Sequence, residues 1–306
     1  MCLVEFREVN KSFGRVSALR NVNLCIQRGI FGLVGPNGSG KSSMIKIILG
    51  LLEADSGRVS VFGYDPWIHG EIVRTRIGVL HEKPEFPHWA TGYQLVKMVA
   101  KFKKVKNLGK ESDIISKKFG LEDAMDRSIG TYSAGMVQRL GLAQAMIGNP
   151  ELVILDEPTS NLDPEGRRKV LEMIQETHKD SDVSFLLSSH ILPELQKVCS
   201  HVAMMSRGCV LDEGELDELV SRYSLWSARI KYDDLEKRGK ILEFFKEAKD
   251  IVVASDSVTI RSSSKEWLHE RLDRVVLSRM ARASDIEEDR GLLEELYEKV
   301  LASEMA

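Results

Sequence analysis

The chain has 306 residues, of which 43% are hydrophobic and 29% are charged, and its formal net charge is −3. This composition is ordinary for a soluble globular protein, and the length predicts one large domain or two domains. We see no basic patch of the kind that nucleic-acid-binding proteins carry, and no apolar run approaches the roughly 20 residues that span a bilayer.

The predicted elements of the first two thirds of the chain alternate between strands and helices. Apolar alternation and short continuous apolar runs predict strands over 3–9, 22–26, 58–62, Ile77–Leu80, 152–155, 185–187, His201–Ser206 and 209–212. A helical region is expected over about 84–149, with a capping box at Thr91, and a further helix over 164–178. This order predicts an α/β fold with antiparallel strands, a mostly parallel sheet and a helical subdomain.

The pattern changes after about residue 220. We predict strands over 226–232, 251–254 and 258–261, and helices over 234–248, 265–280 and 292–301. These elements indicate a small accessory α+β domain over 226–306, joined through 221–225 to a first domain over 1–220. The accessory domain has no metal, nucleophile or phosphate motif. It could stabilise a dimer, regulate catalysis or cap the first domain.

The start of the chain and its cysteines favour a location in a reducing compartment. Residues 1–5 lack the charged region and apolar core of a signal peptide. The cysteines are scattered with no C-x-x-C pair, which argues against a zinc site and against a disulfide framework. We expect a buried thiol at each of Cys2, Cys25, Cys199 and Cys209.

A glycine-rich loop is the first motif that carries chemistry. Residues 35–42 read G-P-N-G-S-G-K-S, after a predicted buried strand over Ile30–Val34 and before a predicted helix over 41–52. Backbone N–H groups of such a loop surround a nucleotide phosphate, Lys41 reaches the β and γ oxygens, and the Ser42 hydroxyl is placed to hold Mg²⁺. The loop alone does not separate kinases, GTPases, helicases and transporter motors, and a glycine turn without a ligand is the structural alternative.

Two acids follow the predicted strand over 152–155. Asp156 is placed to hold the metal, because a second acidic ligand belongs at the carboxyl end of a strand next to the phosphate loop. Glu157 comes directly after it and can polarise a water for attack on the γ-phosphate. The alternative is a strand-to-loop turn with two solvated acids.

A third motif indicates the family. Residues 132–139 read Y-S-A-G-M-V-Q-R, and Ser133 has the position of a helix cap. This stretch resembles the signature motif of ATP-binding-cassette (ABC) ATPases, although read alone it would also fit an ordinary capped helix. In this family the signature meets the γ-phosphate held by the other subunit, so that two ATP molecules are enclosed between two chains.

Further motifs of the resemblance occur in the family's order, and together they cover about residues 3–216. Residues 160–163 resemble the D-loop, His190 resembles the switch histidine, and Phe13 resembles the aromatic residue that stacks on adenine. Read alone, His190 fits a structural histidine and Phe13 fits a hairpin core. The nucleotide-binding residues implied by the resemblance are Phe13, Gly35, Pro36, Asn37, Gly38, Ser39, Gly40, Lys41, Ser42, Ser43, Ser133, Ala134, Gly135, Met136 and Asp163.

The sequence departs from the family's usual residues at several positions, among them His81, Met136 and Asn161, and the departure that bears on catalysis is Glu82. Glu82 stands where the Q-loop glutamine is expected; its oxygen can still contact Mg²⁺ or the attacking water, and we predict that it senses the γ-phosphate and the transporter partner. The implied metal ligands are therefore Ser42, Glu82 and Asp156, and the implied catalytic residues are Lys41, Glu157 and His190. Like charges near a metal are tolerated only while the metal is present.

The resemblance is to detached ATPase subunits of ABC exporters that serve multidrug, antibiotic and sodium efflux. It implies an ATP hydrolase that uses ATP and Mg²⁺, dimerises with a second copy on binding ATP, and powers a separate permease at the cytoplasmic face of the membrane. An alternative is a soluble ABC protein that remodels a ribosome or a nucleic acid. A binding module without ATPase activity is a further alternative, which the presence of Glu157 and His190 disfavours.

Overall fold

Three β-sheets organise the chain in this computed structural model, which describes residues 2–106, 108–216, 218–219, 226–248, 250–262, 264–278 and 280–290. The chain divides into two compact units, Met1–Leu216 and Asp217–Ala306. Two of the sheets lie in the first unit and the third lies in the second unit. None of the helices in these described ranges is long and apolar enough to cross a membrane.

The first sheet is antiparallel and has three strands. It comprises β1 (Cys2–Phe13), β2 (Val16–Gln27) and β4 (Ser56–Val61) in the spatial order β2-β1-β4. Val4 and Phe6 alternate into the core, and a register shift after Phe6 brings Val9 to the same core; all three are almost fully buried. The strands are longer than the alternation predicts because the hairpin pairing continues through polar residues to Phe13 and Val16.

The second sheet has six strands and carries the phosphate loop. Its strands are β3 (Ile30–Val34), β5 (Ile77–Leu80), β6 (Leu152–Asp156), β7 (Ser184–Ser189), β8 (His201–Ser206) and β9 (Cys209–Glu215). They lie in the order β5-β6-β7-β3-β8-β9, and only the edge strand β9 is antiparallel. β3 and β7 are buried along their whole length, and their apolar runs, 30–34 and 185–187, are what a sheet covered on both faces requires.

Seven helices in the described part of the first unit accompany this sheet. They are α1 (Lys41–Ile48), α2 (Gly70–Thr75), α3 (Gly92–Phe102), α4 (Leu108–Lys118), α5 (Ala134–Met146), α6 (Pro164–Asp180) and α7 (Leu192–Leu195). Three of them, α3, α4 and α5, lie in the predicted helical region over about 84–149. The capping box at Thr91 is confirmed, because its hydroxyl accepts from Gln94 N at 3.2 Å while Gln94 Oε1 accepts from Thr91 N at 2.9 Å. The predicted fold class, an antiparallel sheet beside a mostly parallel sheet with helices, is also confirmed.

The second unit is a small α+β domain. It contains β10 (Trp226–Lys231), α8 (Leu235–Phe244), β11 (Asp250–Val253), β12 (Ser257–Ser262), α9 (Lys265–Leu277) and β13 (Ile286–Arg290). The antiparallel sheet order β11-β12-β10-β13 and the β-α-β-β-α-β succession are those of a ferredoxin-like fold. Sequence reasoning missed β13 because its residues after Ile286 are charged. The helix predicted over 292–301 lies outside the described residues.

One expectation about the cysteines is wrong. Cys2 and Cys25 form a disulfide between β1 and β2, with their Cα atoms 5.5 Å apart. Spacing along the chain could not predict this pair, because antiparallel pairing with a register shift near Cys2 brings the two residues together. Cys199 is a free, buried thiol as expected, and burial raises its pKa; Cys209 is free and half-buried.

Candidate functional site

A cavity of about 270 Å³ lies beside the loop that joins β3 to α1. It is lined by Phe13, Val16, Ser17, Ala18, Asn37, Gly38, Ser39, Gly40, Lys41, Ser42, Ser43, Glu82, Asp156 and Glu157. Most of the predicted phosphate loop, both predicted acids and Glu82 therefore meet in one place. Phe13 stands at this cavity with 51% of its surface exposed; the Lys11 ammonium lies 5.6 Å over its ring, and the exposed part of the ring is suited to stacking on a flat ligand.

Glycine is required at two positions of the loop. Gly40 caps α1 with a φ of 109°, in the left-handed region, and an added Cβ would lie 2.5 Å from the carbonyl oxygen of Ala18. At Gly35 an added Cβ would lie 2.5 Å from the carbonyl oxygen of Met205. The loop is thus closely packed against the neighbouring strands, and it leads directly into the positive N-terminal end of α1.

Lys41 places a buried positive charge inside this loop. Its ammonium group donates to the carbonyl oxygens of Gly35 at 2.6 Å and Pro36 at 3.2 Å, and its side chain is only 6% exposed. Glu157 Oε1 lies 3.5 Å from the same nitrogen. The cation is therefore held at the cavity in a fixed position, where it can pair with phosphate oxygens.

The two acids at the end of β6, Asp156 within the strand and Glu157 directly after it, occupy different environments. Asp156 is half-buried, and its Oδ1 accepts from the hydroxyl of Ser188 at 2.5 Å. Glu157 is buried and has a positive φ of 48°, a strained conformation for a residue other than glycine. Its amide donates to both the hydroxyl and the carbonyl oxygen of Ser188, at 3.0 and 3.2 Å. Ser188 thus fixes both acids from the adjacent strand β7.

His190 connects to Glu157. Its Nδ1 donates to Glu157 Oε2 at 2.8 Å, and its side chain is 45% exposed, so the other ring nitrogen can reach a ligand. Glu157 Oε1 is buried, accepts no hydrogen bond from the described residues and lies 3.5 Å from the Lys41 ammonium. A carboxylate with one oriented oxygen and one oxygen that accepts no hydrogen bond retains the capacity to accept a proton from water.

Three oxygen donors at this cavity fit a magnesium ion. The Ser42 hydroxyl and the carboxylates of Asp156 and Glu82 all line it, and hard oxygen ligands are those that Mg²⁺ prefers. Within the described residues, no group of three or more His, Cys, Asp or Glu side chains is arranged to hold an ion by itself. Mg²⁺ does not require such a cluster, because it commonly binds through one or two protein groups together with water and nucleotide phosphates.

The signature residues do not join this cavity. Ser133 caps α5, accepting from Met136 N at 3.3 Å, and Asp163 caps α6, accepting from Gly166 N at 3.0 Å. Ser133, Gly135 and Asp163 line a second cavity of about 500 Å³, whose lining residues are all different from those of the first. An added Cβ on Gly135 would have no heavy atom within 4 Å. Ala134 and Met136 follow Ser133 in the first turn of α5.

A buried network that sequence reasoning missed supports the segment between Glu157 and Asp163. Glu194 in α7 is buried, accepts a hydrogen bond from the Thr159 hydroxyl, and pairs with Arg167 at 3.2 Å. Arg167 also donates to the carbonyl oxygen of Leu162 at 2.9 Å. No spacing rule links these residues, because they come from a loop and two helices.

The comparisons with known proteins agree with this geometry. The profile of a family described as ABC transporter matches residues 19–160. The uncharacterized ABC transporter ATP-binding protein YdbJ of Bacillus subtilis is 35% identical over 215 residues, which cover 70% of each chain. The bacitracin transport ATP-binding protein BcrA of Bacillus licheniformis is 28% identical over 300 residues, which cover 98% of this chain and 97% of BcrA.

A solved structure has the same fold. It is the dimeric structure of a post-hydrolysis state of the ATP-binding cassette MJ0796, bound to ADP and phosphate. The superposition has a TM-score of 0.62 and 23% identity, and it covers 70% of this chain and 98% of that cassette. The likeness shows a shared cassette fold over that part of the chain.

Proposed function

This chain belongs to the ABC transporter family as an ATP-hydrolysing subunit, and we propose that it powers export through a separate membrane permease. The observation that carries the ATP-driven part of this proposal, closure of a dimer around ATP, is the separation of the two cavities on one chain. The phosphate loop and the acids line one of them, whereas the signature lines the other. Two copies facing each other would complete two ATP sites, and ATP binding would thereby close the dimer.

Export, rather than import, is supported by the relative that matches along nearly the whole chain. BcrA is named as a bacitracin transport ATP-binding protein, and its match includes the accessory domain. The alternative, a cassette that remodels a ribosome or a nucleic acid, is not favoured by these relatives. We propose that the chain is recruited to the cytoplasmic face of the membrane by its permease.

The proposed mechanism assigns each side chain a separate task. Lys41 and the amides of residues 35–42 bind and orient the β- and γ-phosphates. Ser42, Asp156 and Glu82 would hold Mg²⁺, which neutralises phosphate charge when bound. Glu157 orients the attacking water and takes its proton, and His190 keeps Glu157 in place through Nδ1 while its other nitrogen contacts the γ-phosphate.

The proposal extends to the residue that positions both acids. Replacing Ser188 by alanine removes the donor to Asp156 and one acceptor of the Glu157 amide. We expect the ATPase rate to fall about 10- to 100-fold, since a hydrogen bond to a charged group contributes about 1.5–3 kcal/mol. The Mg²⁺ concentration that gives half the maximal rate should rise as well.

A matched control distinguishes positioning from simple loss of stability. Ser184 is also buried on β7, but its hydroxyl accepts from the amide of Gly29 at 3.2 Å, away from the acids. Ser184→Ala should leave the Mg²⁺ dependence of the rate unchanged. Ser188→Thr should also show the parental Mg²⁺ dependence, because the hydroxyl is retained. If Ser188→Ala needs no more Mg²⁺ than Ser184→Ala does, Ser188 has no positioning role.

A groove between β5 and the helices α3 and α5 is the site that we propose for the permease. Its volume is about 330 Å³, and its lining includes Val79, Phe86, Val99 and Lys103. The Lys103 ammonium donates to three carbonyl oxygens, and burial lowers the pKa of this group. Trp89, three residues after Phe86, is 80% exposed, which favours a partner contact over a role in packing the helical region.

Affinity purification from detergent-solubilised membranes tests the proposed function. We expect the tagged full chain to recover a multi-span membrane protein, and Trp89→Ala to lower that recovery at least about tenfold, as for an aromatic interface residue. ATP hydrolysis by the isolated variant should stay at the parental rate. Trp67→Ala is the matched control, because Trp67 is also exposed, at 50%, but no residue within three positions of it lines the groove, whereas Phe86 lines it three residues before Trp89. Recovery of ribosomes or nucleic acid in place of a membrane protein would support the alternative.

A further inference from the structure

A run of lysines lies at the end of α3, although the chain as a whole is negatively charged. Residues 97–110 contain Lys97, Lys101, Lys103, Lys104, Lys106 and Lys110 and no acid. The expectation that the chain has no basic patch is therefore wrong for this segment. The net charge of −3 does not reveal this run, because the 46 acidic residues of the whole chain outnumber its 43 lysines and arginines.

Four of these lysines, Lys97, Lys101, Lys104 and Lys106, are exposed. Within the described residues, no acid forms an ion pair with Lys97, Lys101, Lys104 or Lys106, and only Lys97 has an aromatic contact, 5.7 Å above the ring of Tyr93. Lysines in a last helical turn often compensate the helix dipole, but this explains only Lys101, since Lys104 and Lys106 lie beyond the helix.

Apolar side chains lie among these cations. Met98 is 47% exposed and Phe102 is 79% exposed. Each follows a lysine of α3, and the spacing of four residues places the Met98–Phe102 row beside the Lys97–Lys101 row on the helix surface. Single exposed apolar residues are common, but an exposed phenylalanine in a lysine-rich segment matches the composition of surfaces that bind lipid headgroups.

We propose that Lys97, Lys101, Lys104 and Lys106, with Met98 and Phe102, form a patch that contacts the anionic headgroups of a membrane. This basic patch rests on the proposed function in one respect, since a permease partner keeps the chain close to a bilayer. The lysines supply long-range attraction to anionic lipid, and Phe102 enters the boundary between headgroups and acyl chains. The patch continues from α3, whose Val99 lines the groove proposed for the permease.

Sedimentation of the purified full chain with lipid vesicles tests this inference without any permease. We expect binding to vesicles of phosphatidylcholine mixed with phosphatidylglycerol, little binding to phosphatidylcholine alone, and weaker binding as salt increases. Replacing Lys101, Lys104 and Lys106 together by glutamine should lower the partition coefficient about a hundredfold, because each lysine contributes about a fivefold effect near an anionic surface. Phe102→Ser should lower it about tenfold with no change of charge.

The control makes the same change of net charge elsewhere. Lys46, Lys179 and Lys197 are exposed on other elements, and their joint replacement by glutamine should leave vesicle binding at the parental level. Equal losses in the two triple variants, or equal binding to neutral vesicles, would overturn the proposal.

Tighter binding to a single-stranded RNA than to anionic vesicles, at the same salt, would overturn it in favour of a nucleic-acid surface. Co-purification of a membrane subunit with a chain that ignores vesicles would reject the basic patch while leaving the proposed function intact.

Discussion

Glu157→Gln is expected to lower the rate of ATP hydrolysis by about 10²- to 10⁴-fold, the usual contribution of a general base, while ATP still binds. Glutamine keeps the size of the side chain and can still accept the hydrogen bond from His190, but it cannot take a proton. The Lys41 ammonium, 3.5 Å from Glu157 Oε1, also loses its counter-charge. ATP affinity should therefore be equal to or higher than that of the parent.

Two measurements check this expectation together. The first is steady-state phosphate release. The second is size-exclusion chromatography with ATP, in which the variant should stay a dimer because it does not hydrolyse the bound ATP. The parent should leave the ATP-bound dimer once its ATP is hydrolysed. Glu172→Gln is the control, since Glu172 is an exposed acid of α6 paired with Arg168. Phosphate release by Glu157→Gln at the parental rate would exclude Glu157 as the base.

The sequence predicts the parts of the site that are continuous along the chain. The phosphate loop, Asp156 and Glu157 each depend on a strand and the loop after it, and continuous apolar runs identify such strands well. Because parallel strands align their carboxyl ends, these separate segments must meet at one edge of the sheet. The cavity beside Lys41 is the result.

The missed features depend on pairing between distant segments. Ser188 is a buried serine on a strand, and only the alignment of β7 with β6 brings its hydroxyl to Asp156. Glu194 has a role only because α7 meets a loop and α6. The Cys2–Cys25 disulfide depends on the register of a hairpin. The periodicity of one segment assigns its residues to a buried or an exposed face, but it does not identify the partner residue on a distant segment, which explains why these three contacts were not predicted.

The separation of the two cavities leads to a prediction about mixed dimers. Lys41→Ala disables the phosphate loop, and Gly135→Asp places a negative charge where the signature would meet a γ-phosphate. An acid in the first turn of α5 suits the helix dipole, and Gly135 has open space around it, so this variant should fold normally. Each variant alone should lose at least about a hundredfold in ATPase rate, as expected when a preorganised charge or donor is removed.

Mixing the two inactive variants in equal amounts should restore up to roughly a quarter of the parental ATPase activity, if two-fold dimers exchange subunits freely. In a mixed dimer both substitutions fall in the same shared site, since the altered phosphate loop of one copy faces the altered signature of the other. The second site then has an intact phosphate loop and an intact signature. If each chain instead completed its own site, every site in the mixture would contain one lesion and activity would stay absent. A mixture that remains as inactive as its components would therefore reject the shared site, whereas recovery that grows with the fraction of mixed dimers would establish that ATP lies between two chains.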